Sequence, residues 1–181
     1  MSGIALFLLK KGLSVSGSDI TQNDRLDEIA MNGGIIFESQ QSKNIESIKK
    51  IFNHKKIIIV ISSAITHKNK ELNCCIDQNL EIKHRSEILS FIMRSFKSIA
   101  VAGSHGKTST STFLTTLLDL CTKDTSSIIG GIIPKYESNT IIKDSNYLIA
   151  EIDESDGTTS RYKPYLGIIN NIDFDHCDYY S

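Results

Sequence analysis

The sequence has almost no surplus of charge: 20 Lys and Arg stand against 21 Asp and Glu, a formal net charge of -1. It has no local Lys/Arg block either, so it gives no electrostatic basis for gripping nucleic acid or an anionic membrane. Cysteine is scarce. The four residues Cys74, Cys75, Cys121 and Cys177 form no CxxC, and the adjacent Cys74 and Cys75 are poorly placed to bridge each other. That spacing argues against a disulfide framework and against the paired ligands of a zinc site, and fits thiols in a reducing compartment. Long apolar runs are missing as well. The run at 4–9 has no basic region before it and is closed by Lys10 and Lys11, short of the roughly 7–15 apolar residues of a signal peptide. No other run approaches the ~18–20 residues of a membrane span. The expected location is therefore the cytoplasm, with no membrane insertion, no nucleic acid and no protein partner evident. Internal repeats and low-complexity tracts are absent.

What remains is ordinary globular composition, 40% hydrophobic and 23% charged over 181 residues, enough for one sizeable core or two modest ones. Strand-like apolar runs alternate with amphipathic stretches. Helices are expected at 3–11, 25–31, 45–52, 69–79, 86–96 and 108–121. Strands are expected at 13–17, 35–37, 56–61, 81–83, 98–102, 147–152 and 166–172. The run KIIIVI at 56–61 reads as a strand buried on both faces, and 147–152 and 166–172 as further core strands. Such alternation predicts an α/β fold with a mostly parallel sheet and helices on both faces, divided near residues 95–97. Both ends look cut: the chain begins inside a first helix with no preceding strand or glycine turn, and it stops just after a strand.

The strongest chemical signal is the strand–loop–helix at 98–121. Its loop, Gly103-Ser104-His105-Gly106-Lys107-Thr108, has the parts of a phosphate cradle. Small residues let backbone N–H groups wrap phosphate oxygens, a Lys neutralises charge, and a hydroxyl can hold Mg²⁺. With two residues between the glycines it is shorter than the GxxxxGK[ST] form. A second signal is acidic: Glu151, Asp153, Glu154 and Asp156 at the end of a buried strand. Alternation along a strand turns Glu151 and Asp153 the same way, and the carboxyl ends of α/β strands face the ligand. Mg²⁺ takes one or two such oxygens; a solvated acidic turn would read the same in isolation. His176 follows another strand end, although a lone His in a polar loop is more often a surface residue. Ser62 and Ser63, after the KIIIVI strand, suit either a bound diphosphate or a plain turn.

Together these segments resemble the Mur ligase family. MSGIA at the start is similar to the tail of that family's first glycine loop and helix, SGSD at 16–19 to its second strand end, and SSAI at 62–65 to its UDP-side loop. AVAGSHGKTST at 100–110 resembles its ATP loop, AEIDESD at 150–156 its acidic strand end, and NNIDFDHCDYY at 170–180 its metal-site segment. Ser104 stands where the family often has Thr. The resemblance implies a Rossmann-like UDP-sugar-binding domain over 1–96, truncated at its N-terminus, and the first part of a P-loop, ATP-binding parallel-sheet domain over 97–181. It implies that Gly103, Ser104, His105, Gly106, Lys107, Thr108 and Ser109 hold ATP. Thr108 and Glu151 would share Mg²⁺, and His176 would serve a second metal site, with Lys107 and His176 catalytic. Ser2, Gly3, Asp19, Ser62 and Ser63 would lie on the UDP-sugar side.

The implied reaction joins L-alanine to the lactyl carboxylate of UDP-N-acetylmuramate through an acyl phosphate, for peptidoglycan precursors. The alternatives are a murein-peptide recycling ligase and a non-catalytic nucleotide-binding remnant. Folylpolyglutamate synthetases share the short loop but not the SGSD and SSAI segments, and a P-loop kinase or transport ATPase would show the longer loop. Because the rest of the ATP domain and the amino-acid-binding domain are not in this sequence, the 181-residue chain alone is expected to show little or no ligase activity. Turnover of UDP-N-acetylmuramate and L-alanine by the purified chain at a normal rate would refute this.

Overall fold

Strand and helix alternate along the chain in the computed structural model, which describes residues 1–53, 55–121, 123–154 and 157–173. The chain divides into two compact units, Met1–Arg85 and Ser86–Ser181.

The first unit runs α1 (Ser2–Lys10), β1 (Ser16–Ser18), α2 (Asp24–Met31), β2 (Ile35–Phe37), α3 (Ser42–Ile51), β3 (Ile58–Ile61), α4 (Lys70–Asp77) and β4 (Glu81–His84). Local chemistry starts two of these helices. The Asn23 side chain accepts from Arg25 N–H (3.2 Å) and the Asn69 side chain from Leu72 N–H (2.9 Å), each satisfying an amide that the helix leaves unpaired. Each helix then buries one apolar stripe, Ile45 and Ile48 on α3 meeting Cys75 on α4 with Phe37, Ile59 and Ile82 beside them. A polar tie fixes the same elements. Glu71 accepts from Ser18 Oγ (2.5 Å) and from Asn44 Nδ2 (3.2 Å), and Asn44 is fully buried. Burial pushes the Cys75 thiol up to about 11, aided by Cys74 and Glu71; Cys74, Cys75 and Cys121 are free thiols.

The strands of this unit form two separate parallel pairs, β1 with β2 and β3 with β4. That corrects the expectation for KIIIVI. Among the described residues β3 has one hydrogen-bonded neighbour, and Ile58 is 43% exposed rather than buried on both faces. The strand expected at 13–17 also moves, to Ser16–Ser18, leaving Leu13 exposed.

The second unit holds α5 (Arg85–Arg94, from Ser86 on), β5 (Lys97–Ala102), α6 (Lys107–Leu120), β6 (Ser126–Ile133), β7 (Ser138–Ile141), β8 (Tyr147–Glu151) and β9 (Leu166–Ile169). Its five strands lie in the order β7-β6-β8-β5-β9. All neighbours are parallel except β6 and β7, which make an antiparallel pair. Val101, Leu148, Ile149 and Ala150 are fully buried at the centre. α6 packs on β5, β6 and β8 and buries Ser111 and Thr115, small residues that let helix and sheet approach closely. Its threonines do not break it, because their hydroxyls bond back one turn: Thr115 Oγ1 to Ser111 O (2.8 Å) and Thr116 Oγ1 to Thr112 O (2.9 Å). Two expectations change here. The segment at 166–172 is not a core strand: β9 ends at Ile169 on the sheet edge, with Leu166 50% and Ile169 65% exposed. And β6 and β7 were not foreseen.

The end of α6 is tied to the β6–β7 pair through Asp119, which accepts from Lys135, Lys143 and Tyr136 Oη. The Lys135 bond first, then Lys143 and Tyr136, hold its carboxyl far below the usual carboxylate range. A group lowered on folding stabilises fully above its unfolded value, near about 4 for Asp, and loses that contribution as pH falls below it. Melting temperature followed from pH 7 to pH 2 is expected to fall below about pH 4. In Asp119→Asn the melting temperature should start lower at pH 7 and the acid limb should be shallower; identical acid limbs would contradict this role.

Candidate active site

Because β8, β5 and β9 are parallel neighbours, their carboxyl ends emerge side by side. The segments that follow them, 103–106, 152–154 and 170–173, therefore meet at one sheet edge. The loop after β5 needs glycine at both ends. Gly103 has φ +128° and Gly106 φ +77°, in the half of conformational space that L side chains avoid. A Cβ on Gly103 would also sit 3.0 Å from Asn171 O. Gly106 is the N-cap of α6, so the loop delivers the unpaired first-turn amides of a 14-residue helix to this edge.

Lys107 folds back over the loop. Its Nζ donates to Gly103 O (2.7 Å), to Ser104 O (3.4 Å) and to Glu154 Oε1 (2.7 Å). Thr108 Oγ1 lies 3.1 and 3.0 Å from the two oxygens of Glu151, and Gly130 N–H donates to Glu151 Oε2 (2.9 Å). The glycine pair of β6 makes room for this. A Cβ on Gly130 would stand 2.9 Å from Glu151 Oε1, and one on Gly131 would stand 2.7 Å from Thr108 Cγ2. A hydroxyl and a carboxylate brought together in a cleared space are the hard oxygen donors Mg²⁺ prefers. The residues fit a divalent cation, and the loop beside them fits phosphate oxygens. Among the described residues no group of three or more His, Cys, Asp or Glu forms a metal cluster.

The third segment clamps the loop from the β9 side. His105 N–H donates to Asn171 Oδ1 (2.9 Å), while Asn171 Nδ2 (3.1 Å) and Asn170 Nδ2 (3.2 Å) both donate to His105 O. Thr110 Oγ1 is bonded to Asn170 Oδ1 (3.2 Å), and Asp173 N–H donates to Ser104 Oγ (3.2 Å).

Of the residues singled out from sequence, Gly103, Ser104, His105, Gly106, Lys107, Thr108 and Glu151 come together here, and Ser109 lies exposed on the first turn of α6. His176 lies outside the described residues, as does Asp156. β8 ends at Glu151, so strand alternation does not carry on to Asp153, and the carboxylate bonded to Lys107 is that of Glu154. Sequence reasoning named Glu154 within the acidic strand end but gave it no role, and it missed Asn170, Asn171, Gly130 and Gly131 as site residues. The double glycine in SSIIGGII was the one local hint. In the first unit, Ser2 and Gly3 open α1, Asp19 follows β1 and caps its own turn through Thr21 N–H (3.0 Å), and Ser62 and Ser63 follow β3. These are three separate element ends. Ser63 Oγ lies 3.1 Å from His84 Nε2.

Residues 1–97 match the model of the Mur ligase family, catalytic domain, and residues 101–181 that of the Mur ligase middle domain. A UDP-N-acetylmuramate–L-alanine ligase of Prochlorococcus marinus subsp. pastoris is 59% identical over 181 residues, covering 100% of this chain and 38% of that protein. The chain thus spans about 38% of the length of the curated relatives it matches. Among solved structures, the UDP-N-acetylmuramate:L-alanyl-γ-D-glutamyl-meso-diaminopimelate ligase from Neisseria meningitides superposes with a TM-score of 0.89 at 21% identity, covering 100% of this chain and 60% of that one. The UDP-N-acetylmuramate-alanine ligase of Thermotoga maritima superposes with a TM-score of 0.87 at 24% identity, over 99% and 40%. At these identities the structural likeness bears on the fold alone.

The Asn clamp predicts a specific loss. Asn171→Ala removes two bonds to the His105 backbone, worth about 1 kcal/mol each. The melting temperature should therefore fall by several degrees. An unaltered melting temperature would mean the loop holds its shape without Asn171.

Proposed function

The chain belongs to the Mur ligase family, and on that footing we propose that it carries the ATP-phosphate and Mg²⁺ site of a ligase that joins L-alanine to UDP-N-acetylmuramate. The observation that carries the reading is the meeting of Thr108 and Glu151 beside the Lys107 loop, at the carboxyl ends of adjacent parallel strands. The choice of L-alanine leans on the name of the 59%-identical relative.

A carboxylate is a poor electrophile, and what Mg-ATP supplies is a phosphoryl group that activates it toward an amine. The protein's part is positioning and charge stabilisation more than covalent chemistry. The amides of the loop and of the first turn of α6 grip phosphate oxygens, and their dipoles favour negative charge there. Lys107 places a point charge over the loop, which Gly103 O and Ser104 O aim through the ammonium. Thr108 and Glu151 would hold the cation, and Gly130 N–H fixes the carboxylate's orientation. His176 is assigned to a second metal position by the family resemblance. Ser2, Gly3, Asp19, Ser62 and Ser63 form the UDP-sugar side of the first unit. Residues 1–96 and 97–181 are the corresponding functional domains. We place the reaction in the cytoplasm, in peptidoglycan precursor synthesis. Among the described residues no helix is long and apolar enough to cross a membrane.

The reading is tested in the ligase that contains this chain, by ADP release. Release should require both UDP-N-acetylmuramate and L-alanine, and Lys107→Ala should lower kcat by about 10²–10³-fold or more. Glu151→Gln should raise the Mg²⁺ concentration needed for half-maximal rate. Release driven by a tripeptide in preference to L-alanine would move the chain to the recycling ligases.

A further inference from the structure

Lys107 has three N–H donors, and all three are engaged inside the protein: by Gly103 O, Ser104 O and Glu154 Oε1. A phosphate oxygen can gain this ammonium only by displacing one of them. The two carbonyls belong to the loop backbone, whose shape is held by glycines at fixed positive φ and by the Asn170–Asn171 clamp. Glu154 reaches Lys107 through a rotatable side chain, from a segment beyond the end of β8. It is the partner that can yield.

The exchange is not a surface event. The Lys107 and Glu154 side chains are 17% and 16% exposed, so their attraction is weakly screened by solvent and salt. Glu151 stands on the adjoining Thr108. Among the described side chains bonded to Lys107 and Thr108, two carboxylates therefore stand with one ammonium, and a bare polyphosphate meets negative charge there. A divalent cation arriving with the polyphosphate reverses that balance.

Resting on the reading of this loop as a phosphate site, we infer that Glu154 is a positioning residue. It holds Lys107 over the loop and makes the loop select polyphosphate that comes with a divalent cation over the same anion alone. The relevant chemical class is a nucleoside triphosphate or inorganic triphosphate, with and without Mg²⁺.

The whole chain, wild type and Glu154→Gln, would be titrated calorimetrically with tripolyphosphate and with ATP, each in EDTA and in excess Mg²⁺. Glu154→Gln is expected to bind metal-free tripolyphosphate about tenfold more tightly than wild type, the scale of one charged hydrogen bond removed. The gain on adding Mg²⁺ should shrink by a similar factor, and adding Lys107→Met should erase the difference. A residue that only supported the fold would weaken binding in both conditions when changed. Metal-free affinity that is unchanged or lower in Glu154→Gln overturns the inference, while the phosphate-site reading stands if wild type binds Mg-ATP. Wild type that binds neither ligand overturns both. If Glu154→Gln melts well below wild type, Glu154→Asp keeps the charge but draws it back by one methylene. It should give a smaller gain of the same sign, and no gain overturns the inference.

Discussion

Parallel pairing of β5 with β8 on one side and β9 on the other is the constraint on which the second unit depends. Parallel strands in register must end at the same edge, so whatever follows each strand is delivered to its neighbours' loops. Residues 65 or 66 positions apart, Asn170 and Asn171 with His105, meet for that reason. Glu151 reaches Thr108 across the β5–β8 step in the same way. The crossover from β5 through α6 to β6 returns beyond β8, leaving β8 to slot between them. The acidic strand end is then enclosed by α6 on one side and the β6 glycine pair on the other. Change the order of these strands and the same side chains would be scattered along the sheet.

Charge at that edge is arranged with the same economy. One ammonium sits among two backbone carbonyls and a carboxylate, while the second carboxylate is bonded to a hydroxyl and a backbone amide. The Lys107 ammonium and the Glu151 carboxylate thus each have partners within the protein, which avoids the penalty of an unpaired charged group away from water. A ligand that takes up either charge does so by replacing one of these bonds. Specificity then lies in which replacements are favourable, and the strength of the resident bonds matters as much as the donors offered.

How far the sequence could be read follows from how local each signal is. The loop 103–108 was legible because glycine, lysine and threonine must be contiguous to make a phosphate cradle, and strand and helix flank it directly. Glu151 was legible because it ends an unmistakable apolar strand. Asn170 and Asn171 carried no such signal: two asparagines after a strand acquire a role only when β9 lies beside β5. The β6 glycines are similar, since their value is the space they leave for Glu151 and Thr108. β6 itself was missed because a strand beginning with two serines and interrupted by two glycines has weak periodicity. β3 failed in the opposite direction. A continuous apolar run states that a strand can be buried on both faces, yet burial depends on neighbours, and β3 has β4 alone among the described residues.

Strand order also explains how little of the molecule the loop edge involves. Every described group that meets the 103–108 loop in the second unit stands on one edge of one sheet. The structures from Neisseria meningitides and Thermotoga maritima, at 21% and 24% identity, superpose on this chain over nearly its whole length, so the fold survives wide change in sequence. What that edge requires is a fixed loop and a governed charge, which are properties of strand order and of the Lys107–Glu154 pair. Neither depends on side chains far from the edge. The loop can therefore keep its geometry while residues elsewhere change, so long as the β5, β8 and β9 ends stay together.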